Sequence, residues 1–410
     1  MENTYGLPEE VIFCKRCVIS NQRPASVPEF KHTMQQKKPT MNIDDDGICD
    51  ACRTADNKLA INWEKREEEL VRLLDKHRRS DGRYDCLVPG SGGKDSAFQA
   101  HILKYKYGMN PLTVTWPPIL YTEYGLKNWQ NWIDVGGFDN ISFRRNGRVM
   151  KLLTKLSIEN LYHPFQTFIL GQKNLAPRLA VDLDIPLIFY GENEAEYGNP
   201  IADNQTSLRD KSFFTYDNLD DLALGGVTVA ELREQHGVSL ADLQPYLPVS
   251  PDQMKGREFE VHYLGYYLKW IPQEIYYYAV ENTGFKARPF RTQGTYSKYI
   301  SIDDKIDDLH YYTTYIKFGI GRATYEASQE IRNGHLTREE GIALVERFDG
   351  EFPDRYFSEV MEYLDLPEEQ FHEITDRFRP KHLWTQVDGA WKLRHTVGGT
   401  GADDVRRKAA

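Results

Sequence analysis

The chain holds no run of 18 apolar residues, so no stretch is long enough to cross a bilayer as a helix. Its first residues, MENTYGLPEEVIFC, carry acids and a proline where a secretory signal would place basic residues and then an apolar segment, which makes a cytoplasmic protein the expectation. Basic excess is also missing: 51 Lys and Arg stand against 61 Asp and Glu, a net charge of -10. That balance works against a long phosphate-backbone interface, although a local basic patch can still hold a nucleotide. No internal repeat or low-complexity run interrupts a composition that is 40% hydrophobic and 27% charged, as in an ordinary globular protein. At 410 residues the chain can build roughly two to three domains.

Cysteine is scarce, five in all, but four of the five form two Cys-x-x-Cys pairs, Cys14 with Cys17 and Cys49 with Cys52, separated by 31 residues. In a reducing compartment this spacing points to a metal rather than to disulfides. Each pair can bend round one ion, and two pairs close a tetrahedral zinc shell with no open position, which suits a structural site. Residues 1–60 therefore read as a four-cysteine zinc module. The fifth, Cys86, lies in an apolar strand and reads as a small buried hydrophobe rather than a nucleophile.

After this module, Asn62 is placed to cap a helix, WEKREEELVRLLDKHRR, with acids early and bases late. From residue 84 the chain changes character. YDCLV reads as a strand, PGSGG as a turn and KDSAFQAHILKYKYG as a helix; PLTVTW and DIPLIFYG read as further strands, with helix-like NLAPRLAVDL before the last. Strands alternating with helices predict an α/β fold with a doubly wound, mostly parallel sheet. Residues 61–300 are taken as this domain, with a polar insertion or lid at about 200–265. Residues 301–393 read as helical, with a capping box at Thr337 and Glu340, and 394–410 as a mobile tail.

The stretch VPGSGGKDS at 88–96 carries the chemistry. A strand that delivers Gly90, Ser91, Gly92 and Gly93 into a helix start lets backbone N–H groups approach an anion, and the helix dipole adds to the attraction. Lys94 supplies a charge; Ser91 and Ser96 supply hydroxyls. An ATPase P-loop needs four residues between its glycines and a hydroxyl directly after the lysine, and this sequence has neither. Other candidates follow from position. Gly191 and the acids of GENEAEYG (Glu192, Glu194 and Glu196) stand at the end of the third strand, where such sheets bind ligands; Glu192 is the candidate for holding magnesium or positioning a nucleophile, against a solvated acidic loop. Gln172 and Lys173 open a helix in the same half. Lys286, Arg288 and Arg291, in a basic aromatic loop, are candidates for binding phosphate. Asp303, Asp304 and Asp307 read as acids at a helix N-terminus without catalytic duty.

Residues 91–96, Ser-Gly-Gly-Lys-Asp-Ser, resemble position by position the SGGxDS loop of the N-type ATP pyrophosphatases. That resemblance implies an adenine nucleotide alpha hydrolase-like fold of HUP type, ATP cleaved between its alpha and beta phosphates, and Lys94, Asp95 and Ser96 at the reacting phosphates. It further implies that Val114, Thr115 and Trp116 hold adenine, with Trp116 as plain core the alternative. The cysteine module beginning FCKRCVIS, the loop, GENEAEYG and KARPFRTQGTYSKYISIDDKIDDLHYYTTYIKFGIGRAT together resemble the N-acetyl sugar amidotransferases of WbpG or PseA type, over about residues 10–385. The resemblance implies conversion of an acetamido to an acetamidino group in surface-glycan synthesis, with ATP, Mg2+ and structural Zn2+, on an N-acetylated sugar that is nucleotide-linked.

No glutaminase is legible in the chain. Residue 2 is Glu, not Cys, and Cys86 sits within a strand rather than at a nucleophile elbow. A separate glutaminase with a cyclase-like subunit is the implied ammonia source. A tRNA-modifying pyrophosphatase such as a thiolase is the alternative, disfavoured by the acidic charge and by the single spare cysteine. Neither a nucleic acid nor a membrane is the expected partner.

Overall fold

In a computed structural model, the described residues are 4–25, 38–191, 206–209, 216 and 218–409. Five parallel strands form the central sheet: β1 (Cys86–Pro89), β2 (Pro111–Thr115), β3 (Asn140–Ser142), β4 (Leu187–Tyr190) and β5 (Glu260–Tyr263). Their order is β3-β2-β1-β4-β5, so the direction of winding reverses between β1 and β4. Ligands bind such sheets outside the carboxyl ends of the strands at that reversal.

The strands alternate between two cores, as period-two side chains must when both faces are covered. Leu87, Ile188 and Val261 face one core, with the helices Gly147–Leu161 and Gln166–Leu183. Cys86, Val88, Leu187 and Phe189 face the other, where Leu70 and Leu74 of the helix Trp63–His77 join them. That helix is capped as its sequence indicates, Lys65 N donating to Asn62 Oδ1 at 3.0 Å. The α/β class and the parallel sheet agree with the sequence expectation.

Two segments differ from it. The region after 200 is not wholly an insertion outside the sheet, because residues 260–263 supply β5. Leu222, Leu224, Val229, Leu243 and Tyr246 are buried in the first core, so this stretch covers a sheet face. Its polar composition hid apolar residues spaced too irregularly to show a period. The segment from 394 also carries regular structure, where the sequence showed no apolar period. A hairpin, Trp384–Val387 with Ala390–Leu393, leads to a helix at Ala402–Ala409. Polar contacts rather than an apolar stripe hold it: Arg394 to Asp403 at 3.1 Å, His395 to Asp404 at 2.7 Å, and Thr400 to Glu346 at 3.0 Å.

Helices Asp307–Phe318, Arg322–Arg332, Arg338–Phe348, Asp354–Leu364 and Glu368–Arg377 build the C-terminal region. The Thr337 and Glu340 capping box is present. Leu7, Ile158, Tyr162 and Phe165 enter its core, so this region is packed onto the sheet domain rather than tethered to it.

Candidate active site

β1 ends at Pro89, and Gly90 N still pairs with Val114 O at 2.9 Å before the chain turns into the helix Lys94–His101. Two glycines make the turn possible. A Cβ on Gly90 would lie 2.2 Å from Ser96 Cβ, and one on Gly92, whose φ is +85°, would lie 2.6 Å from Trp129 Cα. Backbone crowding of this kind cannot be relieved by a rotamer change. If the loop holds the phosphates of ATP, as its resemblance implies, Gly92→Ala is expected to distort it and lower affinity for a fluorescent ATP analogue by at least about tenfold. Unchanged affinity would mean that the loop does not hold the phosphates.

The loop opens on a cavity of about 530 Å³. Gly90, Ser91, Gly93, Lys94, Asp95 and Ser96 line it, together with Gln172, Lys173 and Gly191. Lys94 is 8% exposed, and its Nζ lies 2.6 and 2.8 Å from the two carboxylate oxygens of Asp95. Ser96 Oγ donates to Gly93 O at 3.0 Å, tying the first turn of the helix to the loop. Gln99, on the same helix, donates to Phe189 O at 2.8 Å and fixes the helix to β4. Lys173 stands 4.5 Å above the Tyr190 ring. A helix N-terminus with Lys94 and Lys173 on the same cavity is an arrangement that can receive an anion.

Not every residue proposed from sequence reaches this cavity. Val114 and Thr115 are fully buried in β2, and the Thr115 hydroxyl accepts from Trp129 Nε1 and Asn140 Nδ2. Trp116 is core: it stacks on Phe143 and meets Tyr246 edge-on, and Gly171 lies flat against its ring. Lys286 is exposed away from the cavity. Arg288 is 2% exposed and donates to Ser301 O at 2.8 Å. Arg291 grips Glu351 through two bonds of 2.5 and 2.6 Å. These two arginines hold the 284–306 loop in place, a role that a count of positive charge cannot separate from phosphate binding. Glu192, Glu194 and Glu196 lie outside the described residues.

The acids read as helix-terminal also form part of the cavity wall, and Asp307 does stand in the first turn of its helix. Asp303, Asp304 and Asp307 line it, the first two in a loop ahead of the helix that begins at Asp307. Ser91 Oγ donates to Asp303 Oδ2 at 2.5 Å, joining the glycine loop to the C-terminal region. A backbone zipper brings them together: Thr122 N donates to Asp303 O at 3.0 Å and Lys305 N to Leu120 O at 2.8 Å. Gly125 leaves the space, since a Cβ there would lie 2.4 Å from Asp303 Cα. The only sequence signal was the close spacing of acids in SIDDKIDD; the partner segment is some 180 residues away.

Asp304 accepts backbone N–H groups from Ile119 (2.5 Å), Leu120 (3.2 Å) and Ile306 (3.0 Å). Burial nonetheless pushes its pKa up to about 7, those N–H groups opposing the shift and Asp303 adding to it. Asp307 is raised as well, by burial and by its acidic neighbours. Because the folded value of Asp304 exceeds the unfolded one, the folded chain binds more protons between about pH 4 and 7. The stability from this group is present below the lower limit and lost as pH rises through the upper. Asp304→Asn is expected to lower Tm yet flatten the fall of stability from pH 5 to pH 7 by up to about 1.4 kcal/mol per pH unit. Denaturant melts at several pH values read that slope. His310, at the cavity wall, is shifted the other way, down to about 3, by burial and then by Arg322 and Lys317, so its imidazole is neutral at physiological pH.

The four paired cysteines also converge. All are fully buried, and their Sγ atoms lie within 4.8 Å of one another, Cys14 to Cys52 at 3.9 Å and Cys17 to Cys49 at 3.7 Å. A zinc tetrahedron with Zn–S of about 2.3 Å has edges of about 3.8 Å, so the donor set fits that ion. N–H groups of Arg16 (3.4 Å), Cys17 (3.5 Å) and Cys49 (3.4 Å) point at Cys14 Sγ, and the thiols of Cys17, Cys49 and Cys52, with the Cys17 amide adding to them, hold its pKa well below the usual range. The module packs against Ile320, Tyr325 and Ile331, and Arg338 donates to the carbonyls of Cys14 and Cys17 at 3.2 Å.

Comparison with known proteins adds two findings. Residues 293–397 match the C-terminal domain of WbpG-like LPS biosynthesis proteins. Over 83 residues, 20% of this chain, the sequence is 37% identical to an uncharacterized protein of Methanocaldococcus jannaschii; the match spans 29% of that relative's length.

Proposed function

From a chain that carries the WbpG-like C-terminal domain, we propose an ATP-dependent sugar amidotransferase that converts an acetamido to an acetamidino group. The observation that carries this reading is one cavity shared by a glycine-rich anion loop at the strand-order reversal and the wall supplied by that C-terminal domain. The amide oxygen of the sugar attacks the alpha phosphorus of ATP, and pyrophosphate leaves into the loop. Ammonia then adds to the imidate carbon; AMP departs with the former amide oxygen, and a proton is lost to give the amidine. The loop amides and Lys94 balance the charge that grows on pyrophosphate. Magnesium carried by ATP would offset the carboxylates of Asp95, Asp303 and Asp307 that share the space.

Cys86 supports this reading over sulfur transfer. It is fully buried in β1 and burial pushes its thiol up, so it is neither accessible nor ionised as a sulfur carrier must be. Ammonia comes in this proposal from a separate glutaminase partner. Purified protein with ATP, Mg2+ and ammonium is expected to form AMP and pyrophosphate only when an N-acetylated sugar is present. ADP as product would overturn the proposal.

A further inference from the structure

Both side chains that the glycine loop would offer to a phosphate already hold a carboxylate. Ser91 has one O–H to give and donates it to Asp303 Oδ2 at 2.5 Å, while Lys94 Nζ lies 2.6 and 2.8 Å from the two oxygens of Asp95. Asp95 belongs to the loop itself. Asp303 does not: it comes from the C-terminal domain matched at residues 293–397, and lies 212 positions further along the chain than Ser91.

The backbone of Asp303 has no room to back away from the loop. Its carbonyl accepts from Thr122 N at 3.0 Å, and its Cα sits so close to Gly125 that a Cβ there would come within 2.4 Å. The next residue, Asp304, is held by the N–H groups of Ile119 and Leu120. With consecutive residues pinned in this way, the carboxylate alone can respond to a ligand. A bare polyphosphate entering the loop therefore meets a negative charge held at Ser91, in a cavity where water screens it less than in bulk. A divalent cation reverses that sign, because magnesium takes carboxylate and phosphate oxygens together as ligands.

We propose that Asp303 is a charge gate on the loop, which admits a nucleotide accompanied by its divalent cation and turns away the same nucleotide without one. This inference rests on the ATP-dependent reading for its choice of ligand. It goes beyond the loop motif by giving the C-terminal domain a part in selecting the nucleotide. Asp303→Asn keeps an oxygen to accept from the Ser91 hydroxyl and removes the charge, so the hydrogen bond and the gate can be separated.

Titration of the full chain with the fluorescent ATP analogue, with magnesium and with magnesium omitted, reads the gate; omission rather than chelation leaves the cysteine site its metal. Wild type is expected to bind at least about tenfold more tightly when magnesium is present. Asp303→Asn should bind the metal-free analogue about tenfold more tightly than wild type does, and should cut the ratio of the two affinities by about the same factor. Asp303→Ala, which also removes the acceptor for Ser91, should lose the ratio in the same way even where both affinities fall. Loss of a merely structural contact would weaken both forms alike and leave the ratio where it was. The proposal is overturned if the Asp303→Asn ratio stays within about twofold of wild type, if wild type binds both forms equally, or if the ratio falls only because the magnesium form weakens, which would make Asp303 a metal ligand and not a gate. No binding of the analogue by wild type in either condition would overturn the gate together with the ATP reading. A gate that behaves as expected in a protein that forms no AMP with any N-acetylated sugar would sink the amidotransferase reaction and leave the gate standing.

Discussion

Replacing Lys94 with alanine is expected to slow sugar-dependent formation of AMP and pyrophosphate by about a thousandfold, in a protein that remains folded. Lys94 is 8% exposed and sits at the first position of the helix that follows the glycine loop, so its ammonium acts where water screens it little. It is bonded here to Asp95 at 2.6 and 2.8 Å, and phosphate binding would draw Nζ from that carboxylate toward the anion. Truncation removes the cation and leaves Asp95 unpaired, two effects that a second variant separates. Lys94→Ala combined with Asp95→Asn should recover stability but not turnover. Recovery of turnover would show that the lysine serves only to neutralise Asp95.

The second large effect concerns the cysteine module. Cys17→Ser is expected to cut bound zinc from about one ion per chain to near none and to lower stability by at least about 3 kcal/mol, which for a domain of this size is a drop in Tm on the order of 10 °C. The consequence should extend to the cavity. Tyr325 and Ile331, on the helix that forms the cavity wall, pack against the four cysteines, and Arg23 lies 5.5 Å from the Tyr325 ring. Metal analysis and a thermal melt on the same sample read the two changes together; a zinc-free variant with wild-type Tm would show that the fold does not depend on the ion.

How much of the site could be read in advance depended on how local each signal was. The glycine loop is a contiguous stretch whose spacing states its geometry, and the cavity does contain Gly90, Ser91 and Gly93 through Ser96. The cysteine pairs are nearly as local. Trp116 shows the limit: its place at a strand end was legible, but whether its ring faces a ligand or a core depends on Phe143, Gly171 and Tyr246, all distant in sequence. The arginines of the 284–306 loop gave the same charge signal whether they meet phosphate or, as Arg291 does, Glu351.

The sequence alone determined the α/β class, the glycine-rich strand-to-helix loop, the four-cysteine set that can hold a metal and the caps of individual helices, because each rests on short contiguous stretches. Only the tertiary structure decided that Asp303 meets Ser91, that residues 260–263 complete the sheet, and that a polar stripe from Arg322 to Gln329 faces the same cavity as Lys94. Those are pairings between segments that can lie more than 200 residues apart, 212 for Ser91 and Asp303. They are set by which buried faces fit together in space, and no local pattern of residues records that.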